Sequence, residues 1–217
     1  MREFVFPLRS TLIILFVAMI LPAACCDGAD ILYFTSAPAS WVGAGQTKTL
    51  DASQGASLSA YRYQGAYANS VNFYITQGND EWYVRLIGPD LTLPVAGDYP
   101  DAERWTFQSP GHPGLVFLGQ HRADNTLTGN FTVLDAAFDG SGNPTTFAAD
   151  FTQYDEGNLA WWNKGSIRYH SSIPIPEPAS CLALTSMVSL ACLRRWRLSS
   201  RRADKGAKRG GAKRGRS

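Results

Sequence analysis

Asp139, Ser141, Asn143 and Asp150 stand at the first, third, fifth and twelfth places of a calcium-loop spacing, an oxygen-rich pattern suited to a hard cation. Pro144 occupies the place where such a loop needs glycine, and no helix pattern flanks it. The same residues therefore read more simply as a polar hairpin turn. The three histidines are scattered: His112 lies between glycine and proline, His121 precedes Asp124 by three residues, and His170 falls late in the patterned region. No Gly-x-Ser-x-Gly elbow places a nucleophilic serine, and no His or Cys cluster has zinc spacing. The carboxylate pair of a glycoside hydrolase leaves no mark in linear order, because it is defined by separation in space. No catalytic residue is assigned and no enzyme is expected; a hydrolase with an unrecognised carboxylate site is the third reading.

Aromatic pairs give the better lead. Trp161-Trp162 and Trp82-Tyr83 put large rings at adjacent positions, and neighbours on a strand point to opposite faces. One ring of each pair is thus expected outside a common core. Trp161, Trp162 and Trp82 are candidates for a glycan platform, with Asn163 and Lys164 as polar neighbours. A sheet covered by one aromatic on each face explains the same pattern without a ligand.

The elements that must hold these residues are strands. Val71, Phe73 and Ile75 alternate with polar or aromatic neighbours, as do Trp82, Val84 and Leu86, and then Leu127, Gly129, Phe131 and Val133. Period two with β-branched and aromatic residues marks half-buried strands. Gln77-Gly78-Asn79-Asp80 and Asp139–Pro144 are turn sequences that should close two hairpins. Residues 30–172 form one domain of ordinary size, expected to be all-β, an antiparallel β-sandwich or jelly roll.

Charge divides the chain. The domain carries 7 basic and 14 acidic residues, a net of −7, whereas residues 194–217 carry 11 basic and 1 acidic. An acidic domain has no electrostatic footprint for nucleic acid. All four cysteines (Cys25, Cys26, Cys181 and Cys192) lie outside the domain, so its fold rests on burial without an internal disulfide.

The termini read as targeting segments. Arg2 and Arg9, an apolar run over 11–21 and small residues from Pro22 have the layout of a signal peptide over residues 1–29. At the other end Pro176-Glu177-Pro178 precedes 15 uncharged residues, 179–193, and then Arg194-Arg195. As helix that run spans about 22 Å, and extension to Trp196 with snorkelling arginines brings it toward the roughly 30 Å hydrocarbon core. The basic tail over 199–217 suits the cytoplasmic side of a membrane.

This three-part ending over 173–198 resembles the PEP-CTERM sorting signal of bacterial exported proteins. The resemblance implies recognition through Pro176, Glu177, Pro178, Arg194 and Arg195 by exosortase, a processing enzyme of the membrane, and delivery to the cell surface or extracellular polysaccharide matrix. A second resemblance covers the domain. Ser40-Trp41-Val42-Gly43-Ala44-Gly45-Gln46, Trp105-Thr106-Phe107-Gln108-Ser109-Pro110, Asn125-Thr126-Leu127-Thr128-Gly129-Asn130-Phe131, Phe147-Ala148-Ala149-Asp150-Phe151 and Gly165-Ser166-Ile167-Arg168-Tyr169 are similar, in this order, to a family of bacterial secreted β-domains with no assigned activity. Its members carry two cysteines at what are Asp124 and Asp155 here. The resemblance implies that these aspartates lie close together. Two close carboxylates need a proton or a cation between them, so Asp124, Asp155 and Glu156 are a candidate calcium site. Otherwise no cofactor is expected.

The expectation is an exported surface or matrix protein of structural character. The alternative is a carbohydrate-binding module, calcium-assisted if the aspartates hold a cation.

Overall fold

The computed structural model describes residues 28–175. The signal peptide up to residue 27, the sorting signal from Pro176 on with its membrane helix, and the basic tail lie outside the described residues, while Ala29, placed at the end of the signal peptide, is the first residue of a strand. Ten strands account for the fold: β1 (Ala29–Ser36), β2 (Thr47–Asp51), β3 (Ser57–Arg62), β4 (Val71–Gln77), β5 (Asp80–Ile87), β6 (Gly97–Arg104), β7 (Gly114–Gly119), β8 (Leu127–Phe138), β9 (Pro144–Asp155) and β10 (Trp162–Ser171). The only helical pieces among the described residues are two single 3₁₀ turns, and none is long and apolar enough to cross a membrane.

The all-β class is as expected, but there is one sheet and not two. Its order is β2-β1-β10-β9-β8-β6-β7-β5-β4-β3, nearly closed into a barrel. All pairings are antiparallel except β6 with β7, which makes the sheet mixed. The sandwich expectation failed for a physical reason: a curled sheet and two facing sheets both bury every second residue, so alternation cannot separate them. The two sheet edges, β2 and β3, are joined by the short link 52–56, which brings the ends of the sheet together. An ion pair of 2.5 Å between Lys48 on β2 and Asp80 at the start of β5 spans the same seam.

Both expected hairpins are present. β4 and β5 meet with Gln77 opposite Asp80, and Gly78 takes φ 61°, the left-handed turn that the two-residue connection needs. β8 and β9 are joined through Asp139–Asn143, where the Asp139 carboxylate accepts from the Ser141 and Asn143 amides.

The barrel interior is aromatic. Val71, Phe73, Ile75, Trp82, Val84 and Leu86 are all fully buried, as the alternation requires. Trp82 stacks on Phe117 with centroids 5.2 Å apart and leans on Phe34 at 4.4 Å. Its ring lies over Gly119, the residue opposite it on β7, where a Cβ would come within 2.2 Å of the indole. Phe151 uses Gly165 in the same way across β9 and β10. At the exit of the chain the buried Arg168 guanidinium pairs with Asp150 at 3.0 Å and donates to the Ile173 and Pro174 carbonyls. The residues just before the Pro-Glu-Pro segment are thereby tied to the barrel.

Candidate functional site

The sheet has one split. β6 runs between β8 and β7, but its pairing with β7 covers only Glu103 opposite Gly114 and Arg104 opposite Leu115. Trp105 N–H donates to the Leu115 carbonyl, and the chain then turns away at Thr106, which has φ 76°. One edge of Phe117 on β7 is left facing no strand. Buried backbone groups must be paired, and here a side chain does it. Gln153, reaching in from β9, accepts from Phe117 N–H at 2.7 Å and donates to Phe117 O at 3.0 Å. Its amide replaces one residue of a missing strand, since it offers the same donor and acceptor.

Gln153 is also one end of a buried polar knot. Its Nε2 donates to Asp124 Oδ2 at 2.9 Å and approaches Asp155 Oδ1 at 3.4 Å. Asp155, fully buried, accepts from Asn163 Nδ2 at 2.5 Å, Ser40 Oγ at 2.7 Å and Val42 N–H at 3.2 Å. Asn163 Oδ1 in turn accepts from Gly43 N–H at 3.1 Å. A Cβ on Gly43 would lie 2.5 Å from that oxygen, so glycine is what lets this loop dock. The Asp155 backbone N–H donates to the Trp161 carbonyl at 2.9 Å. One residue therefore holds two loops: through its side chain the loop bearing Trp41, and through its backbone the loop bearing Trp161.

Those two tryptophans flank an open groove of about 530 Å³, whose walls include His121, Asp124, Asn125 and Glu156. Trp41 is 60% exposed and Trp161 36%. Around the groove Gln120, His121 and Glu156 take left-handed backbone conformations, with φ of 52°, 59° and 51°. Burial pushes the Asp124 carboxyl up to about 8; its hydrogen bond to Asp155 and the charges of Asp155 and Glu156 act in the same direction, against the Gln153 amide. Asp124 is thus held protonated beside Asp155 at neutral pH. Glu156 is held below the usual carboxylate range, first by the Thr126 hydroxyl and then by the Asn125 amide.

The aspartates taken as close neighbours are brought together. Glu156 follows them in the chain, but its carboxylate is engaged by Asn125 N–H and Thr126 Oγ1. Among the described residues no group of three or more His, Cys, Asp or Glu side chains is placed to hold a metal ion. Trp82 must be corrected as a glycan platform: it is fully buried, because β5 turns it into the barrel and Tyr83 outward. Trp161 lines the groove, whereas Trp162 is half-buried with the Lys164 ammonium 5.3 Å from its ring centroid. Asp139, Ser141 and Asn143 form the hairpin turn, and Asp150 belongs to Arg168.

The histidines remain apart. His112 meets the Asp101 carbonyl and His170 the Thr145 carbonyl, while His121 lines the groove. Sequence reasoning missed Trp41, Ser40 and Gln153 as site residues and named Asn163 only as a polar neighbour of the aromatic platform, not as a partner of Asp155. No family model matches the chain, and neither a curated protein nor a solved structure matches it.

Proposed function

We propose that the chain is an exported protein of the cell surface or extracellular matrix whose barrel binds polysaccharide in the groove between Trp41 and Trp161. The observation that carries this reading is the placement of two exposed indoles on the walls of one groove, both held by Asp155. Concave sites with aromatic walls and a few polar groups suit a ligand that is apolar on its faces and polar at its edges, as a sugar ring is. Preorganised walls spare the ordering cost that a mobile loop would incur on binding. Export rests on the sequence: the signal-peptide layout at residues 1–29, and the Pro-Glu-Pro, apolar and basic segments that resemble a PEP-CTERM signal. Membrane attachment belongs to the sorting stage and exosortase to its processing.

Hydrolysis is not part of the proposal. Both Asp155 oxygens are engaged by Ser40, Val42, Gln153 and Asn163, so a substrate in the groove would meet Asp124 without a second free carboxylate beside it. Calcium is not included either, because the donors around Asp155 are N–H and O–H groups, which satisfy an anion and repel a cation.

Affinity electrophoresis of the detergent-solubilised full chain through gels carrying neutral or acidic polysaccharides tests the groove. Retention by at least one polymer is expected. It should be lost in Trp41→Ala/Trp161→Ala and kept in Trp162→Ala, with melting temperatures unchanged. Free migration through every polymer, or retention that survives loss of both indoles, would overturn the groove. Replacing Pro176, Glu177 and Pro178 by alanine should accumulate unprocessed, membrane-bound chain in the producing cell; normal release would remove the sorting reading.

A further inference from the structure

The split beside β6 leaves a second space behind the groove. This cavity of about 110 Å³ is bounded by Arg85 on β5, Arg104 and Trp105 at the end of β6, and Leu118 on β7. Ala123 and Asp124 line both it and the groove, so the two spaces share a wall. Arg104 joins them a second time, since its Nη1 donates to the carbonyl of Asn125 on the groove.

Three buried polar atoms of the lining lack hydrogen-bond partners, two of them donors and the third Asp124 Oδ1. Arg85 Nε and Trp105 Nε1 are buried and have no hydrogen-bond partner. Arg85 lies over the Trp105 ring at 4.8 Å and near Tyr83 at 5.6 Å, and Arg104 lies over Phe107 at 4.8 Å. These rings hold the guanidinium planes without neutralising them. Neither arginine forms an ion pair among the described residues, although acidic residues outnumber basic ones two to one in the domain. Buried, unpaired donors are costly unless something accepts from them. Asp124 brings no negative charge to the shared wall while it keeps its proton, which it does up to about pH 8.

We infer that this cavity is a carboxylate-binding subsite, and that the groove in front of it takes polysaccharide bearing uronic acids. The inference rests on the groove reading for the polymer but not for the anion. At about 30 Å³ per water the space admits a carboxylate with its hydration and is too small for a polymer chain. Planar guanidinium groups recognise carboxylates through paired hydrogen bonds, and the indole N–H adds a third donor. The net −7 of the domain does not forbid this, because exposed charges beyond about 8 Å are screened at physiological ionic strength whereas the two arginines act in contact.

The test uses the full chain in detergent with two readouts. By affinity electrophoresis, polygalacturonate should retain it at least tenfold more tightly than neutral dextran. Arg85→Gln and Arg104→Gln should each abolish that preference, and Arg85→Gln should do so with dextran mobility unchanged. A preference that survives both substitutions would overturn the subsite. The second readout is independent of the groove: the Trp105 indole N–H resonance, assigned by Trp105→Phe, should shift saturably with sodium acetate and not with sodium chloride of equal ionic strength. An unmoved resonance would mean that the cavity holds water only, which overturns the inference. A saturable shift without retention by any polymer supports the anion subsite and rejects the groove as a polysaccharide site.

Discussion

The barrel has two interiors. Around Trp82 the packing is dry and aromatic, with Phe34 and Phe117 in contact across strands and two glycines making room for rings. At the end where β9 and β10 meet the split, the equivalent inward positions carry Gln153, Asp155 and Asn163, all fully buried. The first interior gains free energy from apolar area removed from water and is indifferent to the direction of any bond. The second gains little net free energy per hydrogen bond but loses heavily if one partner is removed, so it enforces one arrangement of loops. Stability thus resides mainly in the aromatic region, and the groove is positioned by the polar one.

Truncating the aromatic region should have the largest effect. Trp82→Ala empties the space between Phe34 and Phe117 and is expected to cost about 3–5 kcal/mol, read as a fall in the urea midpoint. Trp82→Phe should recover most of that loss, because Trp82 Nε1 makes no hydrogen bond that phenylalanine would forfeit. If the alanine variant costs no more than a surface substitution, the aromatic interior is not what holds the barrel.

The next effect belongs to the polar knot. Asp155→Asn keeps the shape but turns a group that accepts from four partners into one with an NH₂ facing N–H donors. A loss of about 2–4 kcal/mol is expected. Unlike the Trp82 variant, it should also release the loops carrying Trp41 and Trp161, so tryptophan fluorescence quenching by acrylamide in the still-folded protein should rise. Equal quenching in the two variants would mean that the polar region has no separate positioning role.

Much of the aromatic region was legible in the sequence, and the polar region was present there in a form that is harder to see. Continuing the alternation of Phe147, Ala149 and Phe151 along β9 puts Gln153 and Asp155 on the inward face, and Asn163, Gly165 and Ile167 do the same on β10. Polar residues in a core register break local consistency, which is where functional sites tend to lie. That signal was available; Trp41 had none, because it sits in a loop whose docking depends on Asp155 over a hundred residues away. The closure of ten strands into one sheet was likewise beyond periodicity. It depends on where β6 inserts and leaves, and two residues of parallel pairing carry no pattern.

The smallest expected effect, measured per pH unit, separates the two interiors by their response to protons. The aromatic core has no titratable side chain, whereas Asp124 keeps its proton up to about pH 8, well above its unfolded value near 4. Between those limits the folded chain binds the extra proton, so stability falls as pH rises. The contribution is complete below about pH 4 and gone once the pH has passed through about 8. The slope is at most about 1.4 kcal/mol per pH unit. Lowering pH below the carboxylate range adds the opposite trend, because Glu81, Glu103, Asp139 and Glu156 are held ionised in the fold. Asp124→Asn mimics the protonated acid and cannot ionise. Its urea midpoint should therefore fall less between pH 5 and pH 9 than that of the parent chain, keeping only the decline that the raised His112 imidazole gives both, and the two curves should separate most at the alkaline end. Parallel curves would show that Asp124 is already ionised beside Asp155, and the knot would then need a cation, not a proton, to hold its two carboxylates together.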